Sequence, residues 1–216
     1  NDHVYFITPK KHIDTILKVT GKEPIAVKRV MILGGGITGR LTASMLEDKY
    51  QVILVENNQE KCYNLAEKLP KTLVIYGDGR NVQLLEEEGL EEMDAFIAVT
   101  PNSETNIITS LIAKKHGVKR TIALVENIEY IHLSQNIGVD TLINRKLIAA
   151  NNIFRYIRRG DIEDITSLHG VDAEVIEFVV KKHSAVTKKP IKKLSFPDNA
   201  IIGGVIRGSE SHIPRG

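Results

Sequence analysis

The chain holds 216 residues, 42% hydrophobic and 26% charged, which is enough apolar material for a buried core and excludes a disordered chain. At ~100–200 residues per domain, the length suits one domain with a partial companion. Cys62 is the single cysteine, which excludes an intramolecular disulfide framework and a four-thiolate zinc site, and the formal net charge of +2 is unevenly spread, with basic ends and an acidic middle.

In chain order, residues 1–24 are expected to hold a short strand, Val4–Ile7, and a helix, Ile13–Val19, before a break at Gly21–Pro24. The opening residue is Asn1 rather than methionine, which reads as a piece of a longer protein. From Arg29 to Arg145, apolar runs of strand length recur at Val30–Leu33, Val52–Val55, Leu73–Ile75, Ala95–Val99, Thr121–Val125 and Thr141–Ile143. They lack polar alternation, as strands buried on both faces do. Segments of helical spacing lie between them, such as Leu41, Met45 and Leu46, or Ile107, Leu111 and Ile112. This alternation predicts an α/β fold: a doubly wound, parallel, six-stranded Rossmann-type sheet with right-handed crossovers.

Capping residues mark the helices. Asn57-Asn58 precedes one, Thr100-Pro101 is expected to cap another with Glu104 in its first turn, and Gly89 and Gly117 stand where C-terminal glycine caps belong. After the sheet, Lys146–Arg159 reads as an amphipathic helix with Ile148, Ile153 and Ile157 on one side. Its apolar face, which includes Phe154, has no core left to cover in its own domain and predicts a dimer or larger assembly. Beyond Gly160 the expected strands are Ala173–Val180, Pro190–Leu194 and Ala200–Arg207, a partial α+β appendage. The lysine pairs Lys181-Lys182, Lys188-Lys189 and Lys192-Lys193 have few aromatics between them and read as a solvated face, with no nucleic-acid role. No apolar stretch approaches the ~20 residues that cross a bilayer.

The strongest motif is Gly34-Gly35-Gly36-Ile37-Thr38-Gly39, a G-x-G-x-x-G directly after a strand and opening a helix. Gly34 permits the tight turn, Gly36 lets the backbone approach a pyrophosphate, and Gly39 lets helix and strand pack closely. The helix N-terminus offers N–H groups and a positive dipole end to phosphates. The next strand ends in Glu56, placed to accept hydrogen bonds from an adenosine ribose and to repel a 2′-phosphate, which favours NAD over NADP; ATP or ADP would present the same ribose. Ligands in such sheets lie beyond the carboxyl ends of the strands, so Thr100 is expected on the phosphate or nicotinamide side and Asp78 on the adenine or ribose side. The chain carries no Tyr-x-x-x-Lys dyad, no Gly-x-Ser-x-Gly elbow and no His just past strand four, five or six. A cofactor pocket without a proton-transfer group beside it reads as a sensor rather than an enzyme. The alternative is a fragment of an NAD-dependent dehydrogenase lacking its substrate domain.

Val30–Gly39, Val52–Glu56, Tyr76-Gly77-Asp78-Gly79 and Phe96–Thr100 followed by Glu104-Thr105-Asn106 resemble the RCK or KTN domains that regulate potassium conductance, the family of the Trk potassium-uptake regulatory subunits. Ala200–Gly208 looks like the start of that family's C-terminal subdomain, and His3–Ile7 like the last strand of a preceding one. The resemblance implies a tandem protein, with this chain its second repeat: 1–24 the tail of the preceding subdomain, 28–145 the nucleotide-binding domain, 146–160 a crossover helix, and 161–216 a partial C-terminal subdomain. It implies a cytoplasmic homo-oligomer, peripheral to the membrane through a potassium transporter that it gates by NAD, NADH, ATP or ADP. Carried over onto this sequence, the binding residues are Gly34, Gly36, Gly39, Glu56, Asp78 and Thr100, with Gly35, Ile37, Thr38 and Val99 as backbone contacts. A further expectation is that Val4–Ile7 pairs with such a C-terminal subdomain.

Overall fold

The computed structural model describes residues 4–21, 26–127, 129–130, 138–158, 162–167, 173–195, 197, 199–208 and 210–214. His3, Pro24, His132, Arg159, Gly160 and His169 lie outside the described residues. The chain divides into two compact units, Ile25–Ile153 and a second made of Asn1–Pro24 with Phe154–Gly216.

The larger unit is built on six parallel strands: β1 (Arg29–Leu33), β2 (Gln51–Glu56), β3 (Thr72–Tyr76), β4 (Ala95–Ala98), β5 (Arg120–Leu124) and β6 (Thr141–Ile143). Their order is β3-β2-β1-β4-β5-β6, the doubly wound arrangement whose direction reverses between β1 and β4. Among the described residues they are accompanied by α2 (Ile37–Leu46), α3 (Gln59–Lys68), α4 (Val82–Glu87), α5 (Ser103–Lys115) and α6 (Arg145–Arg158); α1 (Ile13–Val19) belongs to the other unit. Successive side chains of a strand point to opposite faces, and β1 divides its residues accordingly. Val30 and Ile32 join the core with Ala43, Leu65 and Leu69, whereas Met31 and Leu33 join a second core with Leu85, Phe96 and Ala113. Burial on both faces thus explains the continuous apolar runs of β1 and β4, whereas the edge strand β3 leaves Leu73 54% exposed.

Helix faces follow the apolar spacing only in part: Leu46 of α2 and Ile107 and Leu111 of α5 pack against the core. On α2 the apolar spacing picks Leu41 and Met45, yet these are 48% and 79% exposed, and the buried residues are Gly39 and Ala43. Close approach of helix to strand requires small side chains there. On α5 the buried face is Ser103, Asn106, Thr109, Ser110 and Ala113, mostly polar.

The smaller unit holds α1, the antiparallel pair β7 (Ile162–Ser167) and β8 (Glu174–Phe178), and the hairpin β9 (Val205–Arg207) and β10 (Glu210–His212). Helix α1 has the expected bounds; β7 was not anticipated. Three expected strands are corrected. Val4–Ile7 forms no strand, because no described strand lies alongside to take its backbone bonds, although a Cβ on Gly203 would overlap Ile7 Cδ1. Pro190–Leu194 is a single 3-10 turn, Ile191–Lys193, closed by Lys193 N–H to the Pro190 carbonyl at 2.8 Å. Of Ala200–Arg207 only Val205–Arg207 is strand, since it alone meets a partner, across a turn at Gly208 with φ of +61°. Among the described residues no helix is long and apolar enough to cross a membrane.

Candidate functional site

The glycine loop bridges β1 and α2, and its glycines are required for different reasons. Gly34 donates its N–H to the Val55 carbonyl at 2.8 Å, extending the β1–β2 ladder by one bond. It then turns the chain at φ of +105°, and a Cβ there would also sit 3.0 Å from Thr100 N. The loop therefore rests on the end of β4. A Cβ on Gly39 would overlap the Gly34 carbonyl oxygen. A Cβ on Gly35 would overlap Leu65 Cδ1 and come within 3.0 Å of Glu56 Oε2, so this position is as constrained as the motif glycines. Gly36 differs. It is exposed, a Cβ there would meet nothing within 4 Å, and it caps α2 without any side-chain hydrogen bond to the first turn. The first-turn N–H groups of Ile37, Thr38 and Gly39 thus begin beside bare backbone, which is the cradle an anion needs.

Glu56, the last residue of β2, is only 6% exposed. Its Oε2 accepts the Gly35 N–H at 2.8 Å and its Oε1 accepts the Asn58 N–H at 2.9 Å. The carboxylate is buried and aimed by backbone donors, and each oxygen keeps a second lone pair for a ligand hydroxyl. Asn58 continues the arrangement by capping α3, its Oδ1 accepting the Lys61 N–H at 2.9 Å. Cys62 lies one turn on, its Sγ 3.4 Å from the Glu56 carbonyl oxygen; burial, then the nearby Glu56 charge, push its thiol up. Among the described residues no cluster of histidine, cysteine, aspartate and glutamate could hold a metal ion.

At the end of β3, Asp78 is held by its neighbour. Arg80 Nη2 donates to Oδ2 at 2.7 Å and Arg80 N–H to Oδ1 at 2.9 Å, and the guanidinium keeps the carboxyl below its ordinary range. The flanking glycines have packing roles: a Cβ on Gly77 would come 2.7 Å from Leu84, and one on Gly79 would overlap Leu33.

Thr100 follows β4 and is fixed by Asn106, which is fully buried on α5. The Asn106 Oδ1 accepts Thr100 N–H at 3.0 Å and Thr100 Oγ1–H at 2.7 Å. The Asn106 amide donates to the carbonyls of Thr100 at 2.9 Å and Leu124 at 2.8 Å. The Thr100 hydroxyl is therefore not the helix cap. Asn102 caps α5, accepting the Thr105 N–H at 2.6 Å, and Pro101 lies outside the helix.

Gly34, Gly35, Gly36, Gly39, Glu56, Val99 and Thr100 thus gather at the carboxyl ends of β1, β2 and β4, while Asp78 stands beyond β3 paired to Arg80. Asn106, which the sequence shows only as part of the Glu104-Thr105-Asn106 motif and not as a binding residue, is the group that fixes Thr100. The available signal was a small or polar residue at each turn of α5 where apolar residues would ordinarily repeat.

Residues 30–145 match the TrkA-N domain. The chain is 33% identical over 218 residues to a Trk system potassium uptake protein TrkA homologue of Methanosarcina mazei, covering 100% of this chain and 49% of that protein. It is 35% identical over 213 residues to the Trk system potassium uptake protein TrkA of Halomonas elongata, covering 97% and 47% respectively. The chain therefore spans about half the length of the curated relatives it matches. Among solved structures, the GsuK channel bound to NAD superposes with a TM-score of 0.52 at 19% identity, over 65% of this chain and 25% of that one. GsuK bound to ADP superposes with a TM-score of 0.53 at 21% identity, over 69% and 43%.

Proposed function

We propose, on the premise that the chain belongs to the TrkA-N domain family, that it is a nucleotide-sensing regulatory module of a potassium-uptake transporter. The observation that carries this reading is the bare Gly36 at the start of α2, where no side chain caps the first turn, with the buried, backbone-aimed Glu56 at the end of the adjacent strand. Pyrophosphate oxygens would accept from the backbone of Gly34, Gly35, Gly36, Ile37, Thr38 and Gly39. Glu56 would accept from the ribose hydroxyls, Asp78 would stand on the adenosine side, and Val99 and Thr100 on the phosphate or nicotinamide side. A buried carboxylate at the ribose disfavours a 2′-phosphate, so NAD and NADH are preferred to NADP; ATP and ADP present the same ribose. The NAD and ADP named for the GsuK channel support both possibilities.

The module binds and reports rather than catalyses. A ligand shifts a conformational equilibrium only by its differential affinity for the two states, so the nucleotide forms must differ in their contacts at Thr100 and the glycine loop. Helix α6 leaves the sheet directly after β6 and is the element through which such a shift would reach a neighbouring subunit. Its exposed Ile148, Ile153 and Ile157 suit a homo-oligomer. The partner would be a membrane potassium transporter, placing the module at the cytoplasmic face as a peripheral subunit. The chain would be the second repeat of a tandem protein. Calorimetric titration with NADH, NAD+, ATP and ADP tests the reading: saturable binding of at least one is expected, and no binding of any overturns it.

A further inference from the structure

The carboxyl end of β5 is gripped on both edges by buried asparagines. Asn106, from α5, donates to the Leu124 carbonyl at 2.8 Å. Asn144, 4% exposed and directly before α6, donates to the next carbonyl, that of Val125, at 2.8 Å, and to the Glu126 carbonyl at 3.2 Å. Successive carbonyls of a strand point in opposite directions, so one asparagine serves the β4 side and the other the β6 side. Each carboxamide has a second task. Asn106 uses both of its acceptor positions on Thr100, through N–H at 3.0 Å and Oγ1–H at 2.7 Å. Asn144 Oδ1 accepts the Leu147 N–H at 2.9 Å and so caps α6. Ser103 Oγ accepts the Glu126 N–H at 2.9 Å, and Glu126 pairs with Arg145 in the first turn of α6.

Asn106 thus has all four hydrogen-bonding positions of its carboxamide filled. An aspartate could not donate to the two carbonyls, and an aliphatic side chain would take their Asn106 partner from the Thr100 N–H and from the Thr100 and Leu124 carbonyls, leaving the Thr100 hydroxyl only the Asn102 carbonyl at 3.2 Å. The Thr100 backbone is also the surface on which Gly34 rests, at a spacing that a Cβ would reduce to 3.0 Å. The hydroxyl of Thr100 has one proton. If a bound nucleotide accepts it, the proton leaves Asn106 Oδ1, and the carboxamide that holds Leu124 loses a partner.

We propose that Asn106 and Asn144 are positioning residues that couple nucleotide occupancy at Thr100 to the first turn of α6, through the consecutive Leu124 and Val125 carbonyls. This rests on the nucleotide reading above and names the residues through which the site would be read out. Neither asparagine needs to touch the ligand. Coupling of this kind is a difference in free energy between two ligation states, so it is measured as a ligand-dependent change at α6.

The test is amide hydrogen exchange on the 216-residue chain, free and saturated with whichever of NADH, NAD+, ATP and ADP binds most tightly. In the wild type, the ligand should protect residues 34–39 and alter exchange at residues 144–150 about threefold or more. Asn144→Ser retains a capping oxygen but cannot reach the Val125 carbonyl. It should bind the nucleotide within about threefold of wild type and still protect 34–39, yet lose the ligand-dependent change at 144–150. A merely structural Asn144 would raise exchange there equally with and without ligand, leaving the difference intact. Asn106→Ser should raise Kd roughly tenfold; where that variant does not fold, Asn144→Ser decides the matter alone. Protection at 34–39 with no ligand-dependent change at 144–150, or a change that survives in Asn144→Ser, overturns the coupling. Absence of protection at 34–39 with all four nucleotides overturns the nucleotide reading, and the coupling with it.

Discussion

A Cβ on Gly39 would overlap the carbonyl oxygen of Gly34, so the first turn of α2 lies directly against the backbone that leaves β1. Three residues earlier, a Cβ on Gly36 would meet nothing within 4 Å. The two glycines therefore separate stability from binding. Gly39→Ala has to displace backbone and is expected to cost about 2–3 kcal/mol, near the upper end of overpacking, seen as a lower urea midpoint. Gly36→Ala is expected to unfold within about 0.5 kcal/mol of wild type, because its φ of −65° suits alanine, while weakening nucleotide binding by occupying the open space. Equal losses of stability in the two variants would contradict this assignment.

Glu56 combines structural and binding roles. Glu56→Ala removes the acceptors of the Gly35 and Asn58 N–H groups and is expected to destabilise by about 1–3 kcal/mol. It should also weaken NADH several-fold or more, and Glu56→Arg should weaken NADH further. Unfolding curves and calorimetry on the same variants measure both effects, and unchanged affinity in a folded Glu56→Ala protein would remove Glu56 from the ribose.

Asp94 joins the start of β1 to the start of β4. Its Oδ2 accepts the N–H groups of Lys28 at 2.8 Å and Arg29 at 3.1 Å, and these bonds, with Lys119 beside Oδ1, hold the carboxyl below its ordinary value. Because the folded value is the lower one, Asp94 stabilises the fold above the ordinary carboxylate pKa of about 3.9, and that contribution is lost as pH falls below it through the folded value. Urea midpoints between about pH 7 and about pH 3 should fall at the acid end, and Asp94→Asn should flatten that fall.

Helix α6 exposes Ile153 and Ile157 at 60% and 77%. Sedimentation is expected to find a dimer or larger species at micromolar concentration, and Ile153→Glu with Ile157→Glu to shift it toward monomer. A monomer in the wild type would contradict the interface.

The parallel sheet was readable in the sequence because a strand buried on both faces has to be apolar throughout, and Val30–Leu33 and Val52–Val55 meet that demand without help from neighbours. The glycine spacing was readable for a similar reason: a positive φ at Gly34 and overlap at Gly39 are local demands that only glycine satisfies. Apolar spacing misled on α2, where Leu41 and Met45 turn outward, because what a helix buries depends on how closely the sheet approaches it. Val4–Ile7 has a strand's composition, but a strand requires an adjacent edge, which composition does not supply.

The sequence by itself determined the fold class, the strand–loop–helix context of Gly34–Gly39 and the carboxylate at the end of the second strand, since each follows from backbone geometry and periodicity within a few residues. Only the tertiary structure decided that Glu56 is aimed by Gly35, and that Asn106 and Asn144 grip the consecutive carbonyls of Leu124 and Val125. The physical reason is distance along the chain. A buried polar side chain is defined by the partners that satisfy it, and for Glu56 and Gly35, or Asn144 and Val125, those partners lie about twenty residues away and meet only when the strands are laid side by side.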